Sequence, residues 1–207
     1  MPVNVVEAPL PVVDGLELSA RHRELLNPGG LLVGRDGETH RLPRYFYEID
    51  SWDRALATQL SANFGLWEFI DVDVREPAVL RIFPRYVPIA VSMLAATLEM
   101  FRMEVGAPVR VMANGGYRSP SHAFSTGGSP HCWATAADIY RVGSEYLDTP
   151  QRIDRYGTIA RRVLPFSRIR PSGDAIAATD DHLHVDIGYV TVVPRGASER
   201  DGDEGVR

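Results

Sequence analysis

The segment Asp181-His182-Leu183-His184-Val185-Asp186-Ile187 alternates strictly between polar and apolar residues, and it constrains the chain more than any other stretch. On a β-strand, side chains two apart share a face. Leu183, Val185 and Ile187 would then face a core, while His182, His184 and Asp186 present two imidazoles and a carboxylate together. A merely solvated strand face has no need of that combination.

A second segment matches it in chemistry. In Ser129-Pro130-His131-Cys132-Trp133-Ala134-Thr135-Ala136-Ala137-Asp138, a histidine precedes an aspartate by seven residues, and small residues lie between them. Asp138 falls in the otherwise apolar strand pattern Ala136-Ala137-Asp138-Ile139-Tyr140, where a carboxylate is costly unless paired or metal-bound. Composition directs the metal search to such groups. The 207 residues contain one cysteine, Cys132, and six histidines, which leaves no CxxC site and no intramolecular disulfide. Together the two segments suggest His131, Asp138 and His184 as ligands of one zinc ion, with a fourth position open as in catalytic sites. Asp186 reads as a partner that orients a histidine or as a structural hydrogen-bonding group. His22, His40 and His122 belong to no constellation and read as surface residues. Cys132 reads as a small buried side chain, and Trp133 either lines the cleft or packs.

At 44% hydrophobic and 24% charged, the chain has the makeup of a globular domain with a real core. A net charge of −5 argues against nucleic acid as partner. No apolar run approaches the roughly 18 residues of a membrane span. The opening Met1-Pro2-Val3-Asn4-Val5-Val6-Glu7 lacks a basic stretch followed by an apolar one. The expectation is a chain cytoplasmic as synthesised, with any delivery outside the cell by lysis or through a secretion or injection apparatus.

Periodicity predicts a helix from Trp52 to about Ala62, capped by Asp50 or Ser51, and another over Ile89–Met103 stopped by Gly106 and Pro108. Thr149-Pro150 opens a third, with Ile153, Tyr156, Ile159, Ala160 and Val163 on one side. Strands are predicted at Leu31–Val33, around Thr39–Leu42, and at Val109–Met112, Thr135–Tyr140, Arg168–Arg170 and His182–Val193. The mixture lacks a βαβ rhythm, so the expected class is α+β. Residues 1–62 read as an N-terminal extension packing on a domain over 63–194, and 195–207 as a disordered tail.

The ordered series Gly116-Tyr117-Arg118-Ser119, Ser129-x-His131-x6-Asp138 and Asp181-His182-x-His184-x-Asp186 resembles the zinc D-Ala-D-Ala carboxypeptidases and L-alanyl-D-glutamate endolysins. That group shares its fold with the hedgehog signalling domain. Asn63-Phe64-Gly65-Leu66-Trp67-Glu68-Phe69 also resembles the segment that opens many such domains, so the likeness runs from about Phe64 to Val190. It implies a small antiparallel sheet flanked by helices, zinc on His131, Asp138 and His184, and cleavage of peptidoglycan stem peptides or other D-amino-acid peptides by zinc-activated water. Asp181 then falls at the general base, with Asp180 as its rival. His182 matches an oxyanion-stabilising histidine, and Arg118 an arginine binding substrate carboxylate or carbonyl oxygen. Tyr117 and Ser129 fall near substrate. A non-catalytic zinc-containing binding module of the same fold is the alternative. The family's pattern has glycine where Ala134 stands, and if that backbone needs positive φ the alanine costs roughly 1 kcal/mol.

Overall fold

A computed structural model describes residues 9–70, 74–123, 125 and 128–197. In chain order its elements are β1 (Val12–Asp14), α1 (Ala20–Leu26), β2 (Leu31–Val33), β3 (Thr39–Arg41), β4 (Tyr45–Ile49), α2 (Trp52–Ala57) and β5 (Arg85–Pro88). They continue with α3 (Val91–Val105), β6 (Val109–Val111), β7 (Ala136–Val142), β8 (Glu145–Tyr146), α4 (Pro150–Val163), β9 (Arg168–Arg170) and β10 (Leu183–Asp186). The class is α+β, with small antiparallel sheets and four α-helices among the described residues.

The central sheet runs β6-β7-β10-β9, with the short β8 added beside β7. Its register decides what lies on each face. Leu183 sits opposite Ile139, and Val185 lies between Ala137 and Ile169. These five side chains are buried on one face and join Leu94, Leu98, Phe101, Ile153 and Ala160 of α3 and α4 in the main core. Burial of each large aliphatic chain contributes about 1.5–3 kcal/mol. The other face carries the polar residues of the alternation.

Local chemistry sets the helix limits. In α3 the buried positions Val91, Leu94, Ala95, Leu98 and Phe101 trace one stripe, and Gly106 ends the helix at φ 61. In α4 the Thr149 hydroxyl accepts from the Arg152 amide, with proline in the first turn as expected. A Cβ on Gly157 would meet Leu183 Cδ1 at 3.3 Å, so the missing side chain lets α4 lie close over β10.

Several boundaries differ from the sequence reading. The helix begun at Trp52 stops at Ala57, because the chain then turns to bridge Gln59 to Gly65. The long strand expected over His182–Val193 is only Leu183–Asp186. Gly188 takes φ 79, and its amide donates to Asp186 Oδ1, which turns the chain out of the sheet.

Residues 9–62 hold more regular structure than the two strands expected there at Leu31–Val33 and Thr39–Leu42. Besides the expected β2–β3 hairpin they form β1, α1 and β4, and a second sheet runs β1-β4-β5. Since β4 pairs with β5, this sheet crosses the 62/63 division. Of the expected tail, residues 198–207 lie outside the described residues. Among the described residues no helix is long and apolar enough to cross a membrane.

Candidate metal centre

Three strands deliver one row of side chains across the polar face of the central sheet. Asp138 on β7 is directly opposite His184 on β10, and His184 is directly opposite Arg170 on β9. His131 arrives from outside the sheet, on a 3-10 turn over Pro130–Trp133. That turn must reverse into β7 within two residues. It does so at Ala134, which takes φ 55 and ψ 33 while fully buried. The position where the resembled family has glycine is therefore a left-handed one here, held by alanine.

Relief of that backbone by glycine, about 1 kcal/mol, is offset by the loss of one buried methyl and by a more flexible unfolded chain. Ala134→Gly should leave the melting temperature within a few degrees of the parent. Ala134→Val, a branched chain in a left-handed and filled position, should lower stability by about 3 kcal/mol. Thermal denaturation of both variants checks the pair. A valine variant as stable as the parent would contradict the conformation assigned to Ala134.

Gly115 and Gly116 press the chain against its neighbours beneath the site. A Cβ on Gly116 would lie 2.5 Å from the Phe69 carbonyl oxygen, and one on Gly115 would lie 3.0 Å from Asp138 Cβ. The Tyr117 amide donates to Phe69 O at 2.8 Å, and the Asp138 amide donates to Gly115 O at 2.8 Å. Thus the segment around Phe69, the Gly-Gly turn and β7 are tied together at the site.

The hydrogen bonds fix how each ring is presented. His131 Nδ1 donates to Gly116 O at 2.6 Å, which leaves its Nε2 lone pair facing Asp138 Oδ1 at 3.4 Å. His184 Nε2 lies 2.9 Å from both Asp186 Oδ2 and Arg170 Nη2. One ring nitrogen cannot donate to the carboxylate and accept from the guanidinium at once. The charged acceptor takes the proton, and Arg170 instead faces Asp186 at 3.6 Å. His184 Nδ1 then points at Asp138 Oδ1, 2.8 Å away. The ligand atoms of His131, Asp138 and His184 all lie within 4.8 Å of one another, and all three residues are buried.

Charge is correspondingly perturbed. Burial opposes ionisation of Asp138, but His131 and His184 outweigh it and hold the carboxyl well below its ordinary range. Burial lowers the His131 pKa more than Asp138 raises it. At His184 burial also acts downward, yet hydrogen bonds to Asp138 and Asp186 prevail and the pKa is raised. An ionised carboxylate flanked by a neutral imidazole and a proton-holding one could hold a divalent cation, which would take the place of the proton on His184. The nitrogen and oxygen donors fit zinc, and the bond from His184 to Asp186 fixes its tautomer as ligating histidines require.

The ligand cluster opens into a cleft of about 680 Å³ lined also by Arg35, Met112, Asn114, Arg118, Arg170, Asp181 and His182. Arg118 is bound on two sides, donating through Nε to Asn114 O and through Nη2 to Asp138 Oδ2, each at 2.6 Å. Asp181 lies at the exposed rim, where His182 Nδ1 donates to its Oδ1 at 2.8 Å. His182 Nε2 is 3.7 Å from Asp138 Oδ1. Because β10 starts only at Leu183, residue 181 escapes the strand alternation that would turn it away from the candidate ligands. Asp180 is occupied elsewhere, accepting from the Ala177 amide at 2.7 Å in the preceding turn.

Other residues singled out in the sequence lie off the cleft. Among the described residues the buried Tyr117 hydroxyl has no hydrogen-bond partner, and Tyr117 lines a small separate pocket with Glu76 and Arg85. Ser129 is fully buried, with its hydroxyl likewise unpartnered among the described residues. Trp133 packs with Leu42 and Cys132 and donates through Nε1 to Arg41 O. Burial pushes the Cys132 thiol up to about 11, which leaves it a poor nucleophile. His122 is buried, contrary to its surface reading.

Two cleft arginines escaped the sequence reading. Arg170 had one available signal, since Arg168-Ile169-Arg170 alternates like a strand with arginines on one face. Arg35 gave only a turn signal, Arg35-Asp36-Gly37, which says nothing of where the turn docks. No protein-family model, no curated protein and no solved structure matches this chain.

Proposed function

We propose that this protein is a zinc-dependent peptidase of the hedgehog/DD-peptidase fold, cutting peptidoglycan stem peptides at a bond involving a D-amino acid. One observation carries the reading. Two imidazoles and a carboxylate converge at the base of a cleft whose rim holds Asp181 and His182. The order of motifs along the chain supplies the substrate class by resemblance.

His131, Asp138 and His184 would hold the ion, which when bound supplies Lewis acidity toward a carbonyl oxygen and toward water. Asp181 accepts a proton from the attacking water as its oxygen bonds to the scissile carbonyl carbon. It then delivers that proton to the leaving amine as the C–N bond breaks. His182, when protonated on both nitrogens, can offer Nε2–H to the carbonyl oxygen as negative charge gathers there. Arg118 holds Asp138 by Oδ2, which keeps Oδ1 turned toward the two histidines. Asp181 at the rim favours this reading over a binding module, which has no use for a general base.

Incubation of zinc-reconstituted protein with a stem pentapeptide should release D-alanine. A chelator should abolish release and added zinc restore it. A fully zinc-loaded protein that hydrolyses neither the pentapeptide nor purified cell wall would favour the non-catalytic module instead.

A further inference from the structure

The β2–β3 hairpin docks at the mouth of the cleft by specific contacts. The Trp133 indole donates to Arg41 O at 2.9 Å, and His40 stacks on Tyr189 with ring centroids 3.8 Å apart. The Tyr189 hydroxyl accepts from the Arg35 amide at 2.7 Å, which fixes the hairpin turn against the segment just past β10. A Cβ on Gly128 would come within 2.2 Å of Val33 O, so the hairpin also presses on the loop leading to His131.

The hairpin thus carries the Arg35 side chain into the lining of the metal cleft. Among the described residues its guanidinium has no hydrogen-bond or ion-pair partner. The other two cleft arginines are engaged. Arg118 is bound to Asp138 and Asn114, and Arg170 faces Asp186 and His184. Arg35 and Arg170 both line this one cleft. Two cations lining one cleft are relieved by an anion bound there.

The charge count agrees. Around the site Arg35, Arg118 and Arg170 balance Asp138, Asp181 and Asp186, so a divalent ion leaves the cleft net positive on a chain of net charge −5. Low-dielectric walls focus such a local field on the ligand.

We infer that Arg35, on the N-terminal hairpin, is the residue that binds a carboxylate of the substrate, while Arg118 positions the ligand Asp138. A free planar guanidinium can take a carboxylate by two parallel hydrogen bonds. The specificity of the site then comes partly from the first 62 residues, outside the segment that resembles the peptidase family. This inference rests on the metal site proposed above, and binding tests it without any need for turnover.

The probes are mercaptoacetyl-D-alanine and its C-terminal amide, since a thiolate anchors to zinc whatever the enzyme's natural reaction. Calorimetry on zinc-loaded wild-type protein should show the acid binding about tenfold or more tighter than the amide, the worth of one charge-assisted contact. In Arg35→Gln the acid should fall to within about threefold of the amide, with amide affinity and zinc content unchanged. Arg35→Lys should keep an intermediate preference, because a point charge lacks the fork. Equal binding of acid and amide by the wild type, or a preference that survives in Arg35→Gln, overturns the inference. Wild-type protein that holds no zinc would overturn the metal reading beneath it, and atomic absorption on the same samples separates that failure from the first.

Discussion

His184→Ala protein is expected to lose its zinc, with affinity down on the order of 100-fold or more. Even removing a group that only orients a ligating histidine costs about 10–100-fold in comparable sites. His184 is one of three protein ligand candidates and lies at the centre of the cross-strand row from Asp138 to Arg170. Asp186→Ala provides the graded comparison. It leaves all three candidate ligand atoms in place but removes the acceptor at His184 Nε2, so its loss should fall within that 10–100-fold range.

The pH dependence of zinc binding should have a definite sign. His184 faces Asp138, Asp186, Arg170 and His131, and the two carboxylates raise its pKa against burial. Its proton must leave before the metal binds. Affinity should therefore be full above the raised pKa and fall by about tenfold per unit of pH below it. Competition against a chelating dye across pH measures both effects. Undiminished zinc affinity in His184→Ala would remove that residue from the ligand set.

Asp181→Ala is the second large effect, and it should separate chemistry from metal binding. Asp181 lies at the exposed rim, and its oxygen takes a hydrogen bond from His182 and none from the three candidate ligands. The variant should keep its zinc and fold, yet lose about 10²–10⁴ in kcat, the usual contribution of a positioned general base. Asp180→Ala should leave kcat near the parent value, since the Asp180 carboxylate caps the preceding turn. If Asp181→Ala hydrolysed substrate at the parent rate, the base would have to be sought elsewhere in the cleft.

The polar face of the site was legible because it follows from strand period alone. His182, His184 and Asp186 flank one another in an alternating run, and Leu183 and Val185 fill the core behind them. Asp138 was legible as a carboxylate with no business in an apolar strand unless partnered. Both signals are local. The partners that make the site work are set by register and docking, which local patterns do not encode. Arg170 reaches His184 only because β9 pairs with β10 in one register, and Arg35 reaches the cleft only because Tyr189 and Trp133 receive the hairpin. The aromatic strand Tyr45–Ile49 was lost among the turn residues around it, though its pairing with β5 joins the N-terminal segment to the rest. Asp181 and Asp180 could not be told apart in sequence, since the turn that spends Asp180 on Ala177 becomes visible only in three dimensions.

The central claim, a zinc centre that breaks a stem-peptide bond, is tested most directly by mass analysis of muropeptides digested with protein of measured zinc content. One bound zinc per chain is expected, with shortened stem peptides that appear with zinc and vanish with chelator. The product masses would also name the bond cut. Intact muropeptides after exposure to the fully zinc-loaded protein would contradict it.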